Sequence, residues 1–416
     1  MKRYSGNMKP VKQILPAMFL FLFVESVPAQ EKRYLDPWEE GFMDIHHIAT
    51  GKGNSSFAIL PDGTTLLIDA GDLSDLNEYA QKLMPPLPNS ERLPGEWIAR
   101  YIRTFTAPLK RDTINYALLT HFHDDHIGDV STKAITMADR PYKLSGISQV
   151  AEYIRLNKIV DRGWPDYDYP SRKAIEANNI DFNNYIRFIR YQHDVRKIPV
   201  ERFRPGSISQ FKLLYAPEKY PEFSIRNIYS NAKVWTGGGE SFIDLQTGLK
   251  LLDNNDVLSE NNCSNIIKLS YGPFDYYSGG DLSADVIETV VARLVGPVEV
   301  AVVNHHAYSD ANHESFVSAL RPQVFIIPVW DYYHPQPEVL NRLLDPMLYP
   351  QERLVFPTGL VEENKQRLGE PGRCLQPYGH VVVRVYPQGT AFQIYVLNAH
   401  SEEYEVIFNT GRMKSK

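Results

Sequence analysis

The feature that most constrains this chain is the string Thr120-His121-Phe122-His123-Asp124-Asp125-His126-Ile127-Gly128-Asp129. It follows Asn115–Thr120 (NYALLT), a run whose make-up suits a strand buried on both faces. Four metal-binding side chains, His121, His123, Asp125 and His126, fall within six residues. A helix would bring ligands to one face at spacings of three and four, which this string does not do throughout. A sharp turn after a strand can aim His121 and His123 at one ion and Asp125 and His126 at a second. Imidazole nitrogen and carboxylate oxygen, in sites of about four ligands, suit zinc and similar cations. A lone histidine is usually a satisfied structural residue. This clustering after an apolar strand reads instead as a metal site.

The rest of the chain alternates. A strand-like pattern begins over residues 42–49 (FMDIHHIA), and Phe57–Leu60 and Thr64–Ile68 flank the hairpin signal Pro61-Asp62-Gly63. Strand-like runs return at Ile266–Tyr271, Phe274–Tyr277, Val298–Val303, Val324–Val329, Val381–Tyr386 and Phe392–Leu397, with helix-like stretches such as Asp285–Leu294 between several of them. The alternation, with hairpins at both ends, predicts an α/β chain of layered helix and sheet.

The middle, about residues 131–215, differs. Ile147, Val150, Ala151 and Ile154 share one helical face, as do Phe182, Tyr185, Ile186 and Ile189. Between them runs the aromatic stretch Gly163-Trp164-Pro165-Asp166-Tyr167-Asp168-Tyr169-Pro170. This reads as a helical insertion able to form a cap, with Trp164, Tyr167 and Tyr169 shaping a pocket. The plainer alternative is that both stripes pack onto the main core. Gly237-Gly238-Gly239 has no phosphate-loop context and reads as a turn.

Residues 1–29 have the pattern of a secretory signal peptide. Lys2, Arg3, Lys9 and Lys12 precede the apolar run Ile14–Val24, and Val27 and Ala29 fit the positions before a cleavage site. The run is about half the length a spanning helix needs. No later stretch approaches membrane length, so the mature chain is expected to be exported without a transmembrane segment. A net charge of −6 gives no strong positive field for duplex nucleic acid. Two cysteines, Cys263 and Cys374, make no disulfide framework, although they could pair if adjacent.

With its His-x-His-x-Asp-His intact at His121, His123, Asp125 and His126, the chain resembles the metallo-β-lactamase superfamily. Residues 64–71 (TTLLIDAG) look like that family's first motif, Gly279-Gly280-Asp281 like its strand-end aspartate, and Asn304-His305-His306 like its last histidine motif. The resemblance implies an αββα four-layer sandwich with two divalent ions at one edge. It implies that Asp69 orients the metal loop without binding metal, and that Asp281 bridges the ions. His305, nearer the strand end, is preferred over His306 as the last ligand. That leaves His306 to hold substrate or support the reacting groups. Within the superfamily, His305-His306, Tyr333-His334-Pro335 and residues 265–269 (NIIKL) resemble the nuclease-like domain of ComEC-type competence proteins. The Gly-His-Thr-type motif that completes the first site in many members is absent. His193, the one histidine between His126 and Asp281, reads as a surface helix residue.

The expected activity is metal-dependent hydrolysis by a water activated between two ions, zinc by default, with manganese also compatible. Asp125 would additionally steer the proton. The ComEC-type resemblance favours a phosphoester or phosphodiester substrate, small or polymeric. Arg155, Arg162, Arg187 and Arg190 could contact an anion or form a solvated helix face. His334, Tyr333 and Tyr308 are weaker substrate-binding candidates. His46 and His47 read as structural, and His380 and His400 as peripheral. The rival readings are an ester, lactone or β-lactam hydrolase and a binding protein that keeps the fold without turnover.

Overall fold

The computed structural model describes residues 33–74, 83–130, 134–170, 179–251 and 258–416. The signal-peptide expectation lies outside the described residues. Strands β1 (Met43–His47), β2 (Ser56–Ile59), β3 (Thr65–Ile68), β4 (Tyr116–Leu118), β5 (Ile159–Asp161) and β6 (Val200–Arg202) open a first sheet. The second sheet is formed by β7 (Phe223–Ser230), β8 (Lys233–Trp235), β9 (Phe242–Asp244), β10 (Ile266–Tyr271), β11 (Phe274–Ser278), β12 (Val300–Val302), β13 (Val324–Ile327) and β14 (Leu354–Pro357). The chain then returns to the first sheet with β15 (His380–Val385), β16 (Ala391–Leu397) and β17 (Val406–Asn409). The orders are β6-β5-β4-β3-β2-β1-β15-β16-β17 and β9-β8-β7-β10-β11-β12-β13-β14.

Alternation along the strands builds the layers. Leu66, Ile68, Tyr116 and Leu118 of the first sheet meet Ile267, Leu269 and Tyr276 of the second in an inter-sheet core. Their neighbours Leu67 and Ala117 point outward, onto helices α1 (Pro94–Thr106), α3 (Gly146–Tyr153) and α4 (Ile180–Asp194). The short α2 (Asp124–Ile127) carries the ligand cluster. On the far side, α5 (Asp285–Val295), α6 (Glu314–Leu320), α7 (Pro337–Leu344) and α8 (Glu362–Gly372) cover the second sheet. Helix α5 shows why: Ile287, Val291, Ala292 and Val295 recur at helical spacing and are buried. The result is the expected αββα sandwich.

The middle segment is part of this sandwich. Its helices α3 and α4 belong to the outer layer of the first sheet, and its strands β5 and β6 extend that sheet's edge in parallel. Among the described residues it does not stand apart as a cap, because its apolar stripes complete the outer core. Tyr167 is buried there, donates to Asp161 Oδ2 (2.7 Å) and packs on Phe122, rather than lining a pocket.

His380 is a second departure from expectation. It is buried, its ring lies 4.5 Å from that of Tyr101, and its Nδ1 accepts from the Ala49 amide. Both faces of β15 are covered, so a histidine at its start is core and not periphery. His400 is exposed. His46 and His47 are core residues, hydrogen-bonded to Tyr101 and to Ser56 respectively. Cys263 is buried, Cys374 is exposed, and both thiols are free. No helix among the described residues is long and apolar enough to cross a membrane.

Candidate metal centre

Strands β3, β4 and β5 run parallel, as do β11, β12, β13 and β14. Parallel strands end at a common edge, and ligand sites form outside those carboxyl ends. Asp69 follows β3, His121 to His126 follow β4, Asp281 follows β11, His306 follows β12, and Trp330 and His334 follow β13.

Two groups of side chains converge there. Asp125, His126, Asp281 and His306 each offer one ligand atom, all within 4.8 Å of one another. His121, His123 and Asp281 form a second such group, so Asp281 belongs to both. His306 Nε2 lies 2.9 Å from Asp125 Oδ2 and 3.4 Å from Asp281 Oδ2. His126 Nε2 lies 3.2 Å from Asp281 Oδ1, and His121 Nε2 3.2 Å from His123 Nδ1.

The rings are aimed by what their other nitrogens do. His126 Nδ1 donates to Asp69 Oδ2 (2.8 Å) and His306 Nδ1 to the Pro328 carbonyl (3.2 Å), which turns both Nε2 atoms inward. Asp69 also accepts from the Thr120 amide and hydroxyl, both at 2.7 Å, and from Asn54 Nδ2 at 3.2 Å. It is fully buried, and these bonds tie it to the loop that carries the cluster. The backbone of α2 is held tightly as well: a Cβ on Gly71 would lie 1.8 Å from the Asp125 carbonyl oxygen, so only glycine fits there.

Electrostatics pull these groups in opposite directions. Burial disfavours the charged carboxylates of Asp125 and Asp281, but the His126 and His306 rings outweigh it and hold both well below the usual range. Burial likewise opposes a charged His306, yet Asp281 and Asp125 raise it to about 9. His121 is pushed the other way, by burial and by the neighbouring His126. Among the described residues, fully buried His126 Nε2 makes no hydrogen bond, although two carboxylates converge on it. A divalent cation between these atoms satisfies the orphaned nitrogen and both carboxylates, so the residues fit metal.

The structure reverses the order expected for the paired histidines. His306 joins the ligand group. His305 turns away, donating from Nδ1 to Asp310 Oδ1 (2.6 Å), with Asn261 Nδ2 3.2 Å from its Nε2. The cause is backbone geometry. His305, His306 and Ala307 all have positive φ, at 46°, 51° and 61°, and none is glycine. Such a turn costs about 1–3 kcal/mol per residue and persists only where its surroundings enforce it. Buried Glu288 does so, accepting from Asn304 Nδ2 (2.7 Å) and from the Asn312 amide (2.8 Å). Asn312 in turn accepts from the Asn304 amide and donates to its carbonyl.

Around the groups stand residues with less direct roles. His334 is buried and stacks on His306 with ring centroids 4.9 Å apart, and its Nδ1 has no hydrogen-bond partner among the described residues. Trp330 meets both rings edge-on. Tyr308 and Tyr333 are half-buried, 6.1 Å apart, with Tyr308 beside the His305 ring. His193 is exposed, with its ring tilted against that of Trp164, as a surface residue would be. Arg155, Arg187 and Arg190 are exposed. Arg162 is not available to an anion: it is buried and paired with Glu260, as a buried cation must be.

Sequence reasoning missed Glu260, Asn262 and Ser264, and noted Asn265 only as the start of a family-like stretch. Glu260 Oε1 accepts from the Phe122 amide (2.8 Å), Asn262 Oδ1 from the Ser283 and Ala284 amides, and Ser264 Oγ from the Asp281 amide. Asn265 Nδ2 donates to the Leu119 carbonyl (2.8 Å). The only signal was a run of short polar residues directly before an apolar strand, the residue types that satisfy backbone groups locally.

Residues 49–132, which contain Asp69 and the His121–His126 cluster, match the family described as Metallo-beta-lactamase superfamily. Among curated proteins, none matches the chain. Among solved structures the chain is similar to CmlA, a diiron beta-hydroxylase from Streptomyces venezuelae, at 11% identity and a TM-score of 0.38. That match covers 77% of this chain and 53% of the other, so the chain spans about half of that protein's length. It is also similar to the metallo-beta-lactamase fold protein YhfI from Bacillus subtilis, at 10% identity and a TM-score of 0.34, covering 81% of this chain and 95% of that one. The part of the chain that carries Asp69 and the His121–His126 stretch is thus similar to the metallo-beta-lactamase superfamily, and a four-layer sandwich is built around it.

Proposed function

We propose that the protein is an exported, metal-dependent hydrolase that cleaves phosphoester or phosphodiester bonds. The observation that carries the hydrolase reading is the place of Asp281, common to both ligand groups. Asp125, His126, Asp281 and His306 would hold one cation, and His121, His123 and Asp281 the other. Four imidazoles and two carboxylates suit zinc, with manganese also compatible. Divalent cations there supply Lewis acidity and make water acidic enough to attack near neutral pH.

The chain's own groups do the rest. Asp69 and Pro328 fix which nitrogens of His126 and His306 face inward. Asp125, 2.9 Å from His306, can steer a proton at the reacting centre. His305, Tyr308 and Tyr333 are less buried than the neighbouring His306 and are placed to contact substrate. The phosphoester class is supported by the ComEC-type resemblance of His305-His306 and Tyr333-His334-Pro335, and export by the pattern of residues 1–29.

The test assays bis-p-nitrophenyl phosphate, a carboxylate ester and nitrocefin side by side, with and without chelator. Chelator-sensitive phosphodiester cleavage is expected. Turnover of the ester or nitrocefin alone would instead favour a carbonyl substrate. Bound metal with no turnover would favour the binding-protein reading. Fusion of residues 1–29 to a reporter tests export.

A further inference from the structure

The His121–His123–Asp281 group has one protein ligand fewer than its neighbour. Its two histidines flank Phe122, and Phe122 is held at both its backbone and its ring. Glu260 Oε1 accepts from the Phe122 amide at 2.8 Å. The same carboxylate takes a two-pronged ion pair from Arg162, with Nε to Oε1 at 2.8 Å and Nη2 to Oε2. The Arg162 guanidinium also lies over the Phe122 ring, 4.4 Å from its centroid. Arg162 is itself fixed, donating from Nη1 to the Tyr169 carbonyl (3.0 Å) and to Asn231 Oδ1 (3.2 Å), while Asn231 Nδ2 donates back to the Arg162 carbonyl (2.8 Å). Arg162 leaves the end of β5, in the middle segment, and Glu260 directly precedes the Asn261–Cys263 turn. Two remote stretches thus converge on the residue between two ligands.

We propose that Arg162 and Glu260 are positioning residues that set the spacing of His121 and His123, and so govern how tightly the three-ligand site holds its ion. The four-ligand site is held by Pro328, the Glu288 frame and Asp69, of which only Asp69 also reaches the other group, through the Thr120 hydroxyl beside His121, so loss of the Arg162–Glu260 pair falls on the three-ligand site. The inference rests on the two-ion reading above. It gives the middle segment a role at the metal centre without any contact to substrate.

The experiment measures zinc bound per full-length chain, and its affinity by competition with a chromophoric chelator, in wild type, Glu260→Ala and Glu260→Gln. His123→Ala and His306→Ala mark which ion belongs to which site. Glu260→Ala is expected to weaken the three-ligand site about 10- to 100-fold and to leave the other unchanged. Glu260→Gln keeps an acceptor for the Phe122 amide and should restore most of that loss. If Glu260→Ala does not fold, Arg162→Lys, which keeps the charge and loses the fork, is judged by the same comparison. Equal retention of both ions, or equal weakening of both, would overturn the proposal. A wild-type chain that binds no zinc would overturn the two-ion reading along with it.

Discussion

His306 Nε2 lies 2.9 Å from Asp125 Oδ2, although 181 residues of chain separate them. The contact joins the ends of two strands in different sheets and selects one member of a histidine pair. His306→Ala is therefore expected to leave about one ion per chain and to lower turnover about 100-fold or more. His305→Ala should keep both ions. Elemental analysis of the two purified variants decides between them, and loss of an ion in His305→Ala alone would contradict the assignment.

Asp69 offers a gentler test of how the ligands are aimed. Its Oδ1 accepts from the Thr120 amide, and its Oδ2 from His126 Nδ1, the Thr120 hydroxyl and Asn54. An asparagine presents an NH2 group where one of these oxygens stood, facing a donor. It tolerates the backbone, since Asp69 has φ 59° and asparagine visits that region readily. Asp69→Asn should destabilise the ion-free chain by about 1–3 kcal/mol and weaken metal binding about 10- to 100-fold. Urea unfolding with chelator, followed by metal titration, separates the two effects.

The ion-free centre should also respond to pH. The Asp281 and Asp125 carboxylates outweigh burial to raise His306 from 6.5 to about 9. A raised basic group stabilises the fold fully below the unfolded value, so its contribution, on the order of 3 kcal/mol, is lost as pH rises from about 6.5 through 9. Cation binding needs the same nitrogen unprotonated, so apparent metal affinity should climb over that window. Thermal melts with and without zinc at a series of pH values test both trends. In His306→Phe this part of the pH dependence of the ion-free chain should disappear.

Acid should unfold the chain through a different set. Burial lowers His46, His47 and His380 from 6.5 to about 3 each. The unfolded chain takes up these protons first, so their contribution is present above about pH 6.5 and lost as pH falls toward 3. His380→Phe should flatten the acid limb of the stability curve, measured by urea midpoints.

How much of this was legible in sequence depends on how local the signal is. The ligand cluster after β4 and the hairpin over Pro61-Asp62-Gly63 are written in consecutive residues, and both stand where their spacing indicates. The choice between His305 and His306 was not legible. It rests on three consecutive left-handed residues without a glycine, enforced by Glu288 from a helix elsewhere in the chain. Arg162 read as a candidate anion contact because nothing near it in sequence announces Glu260, 98 residues on. Strands β7 and β14 and helix α1 drew no notice: Arg226 and Asn227 interrupt the apolar residues of β7, and β14 is only four residues long.

The proposed function turns on Asp281 joining two metal sites into one hydrolytic centre. The most direct measurement follows bis-p-nitrophenyl phosphate hydrolysis as zinc is added back to chelator-stripped protein, with bound zinc counted at each point. Turnover is expected to rise with occupancy, to reach its plateau near two ions per chain, and to be absent from Asp281→Ala. Hydrolysis that persists without bound metal, or an Asp281→Ala protein that still binds two ions and turns over, would contradict it.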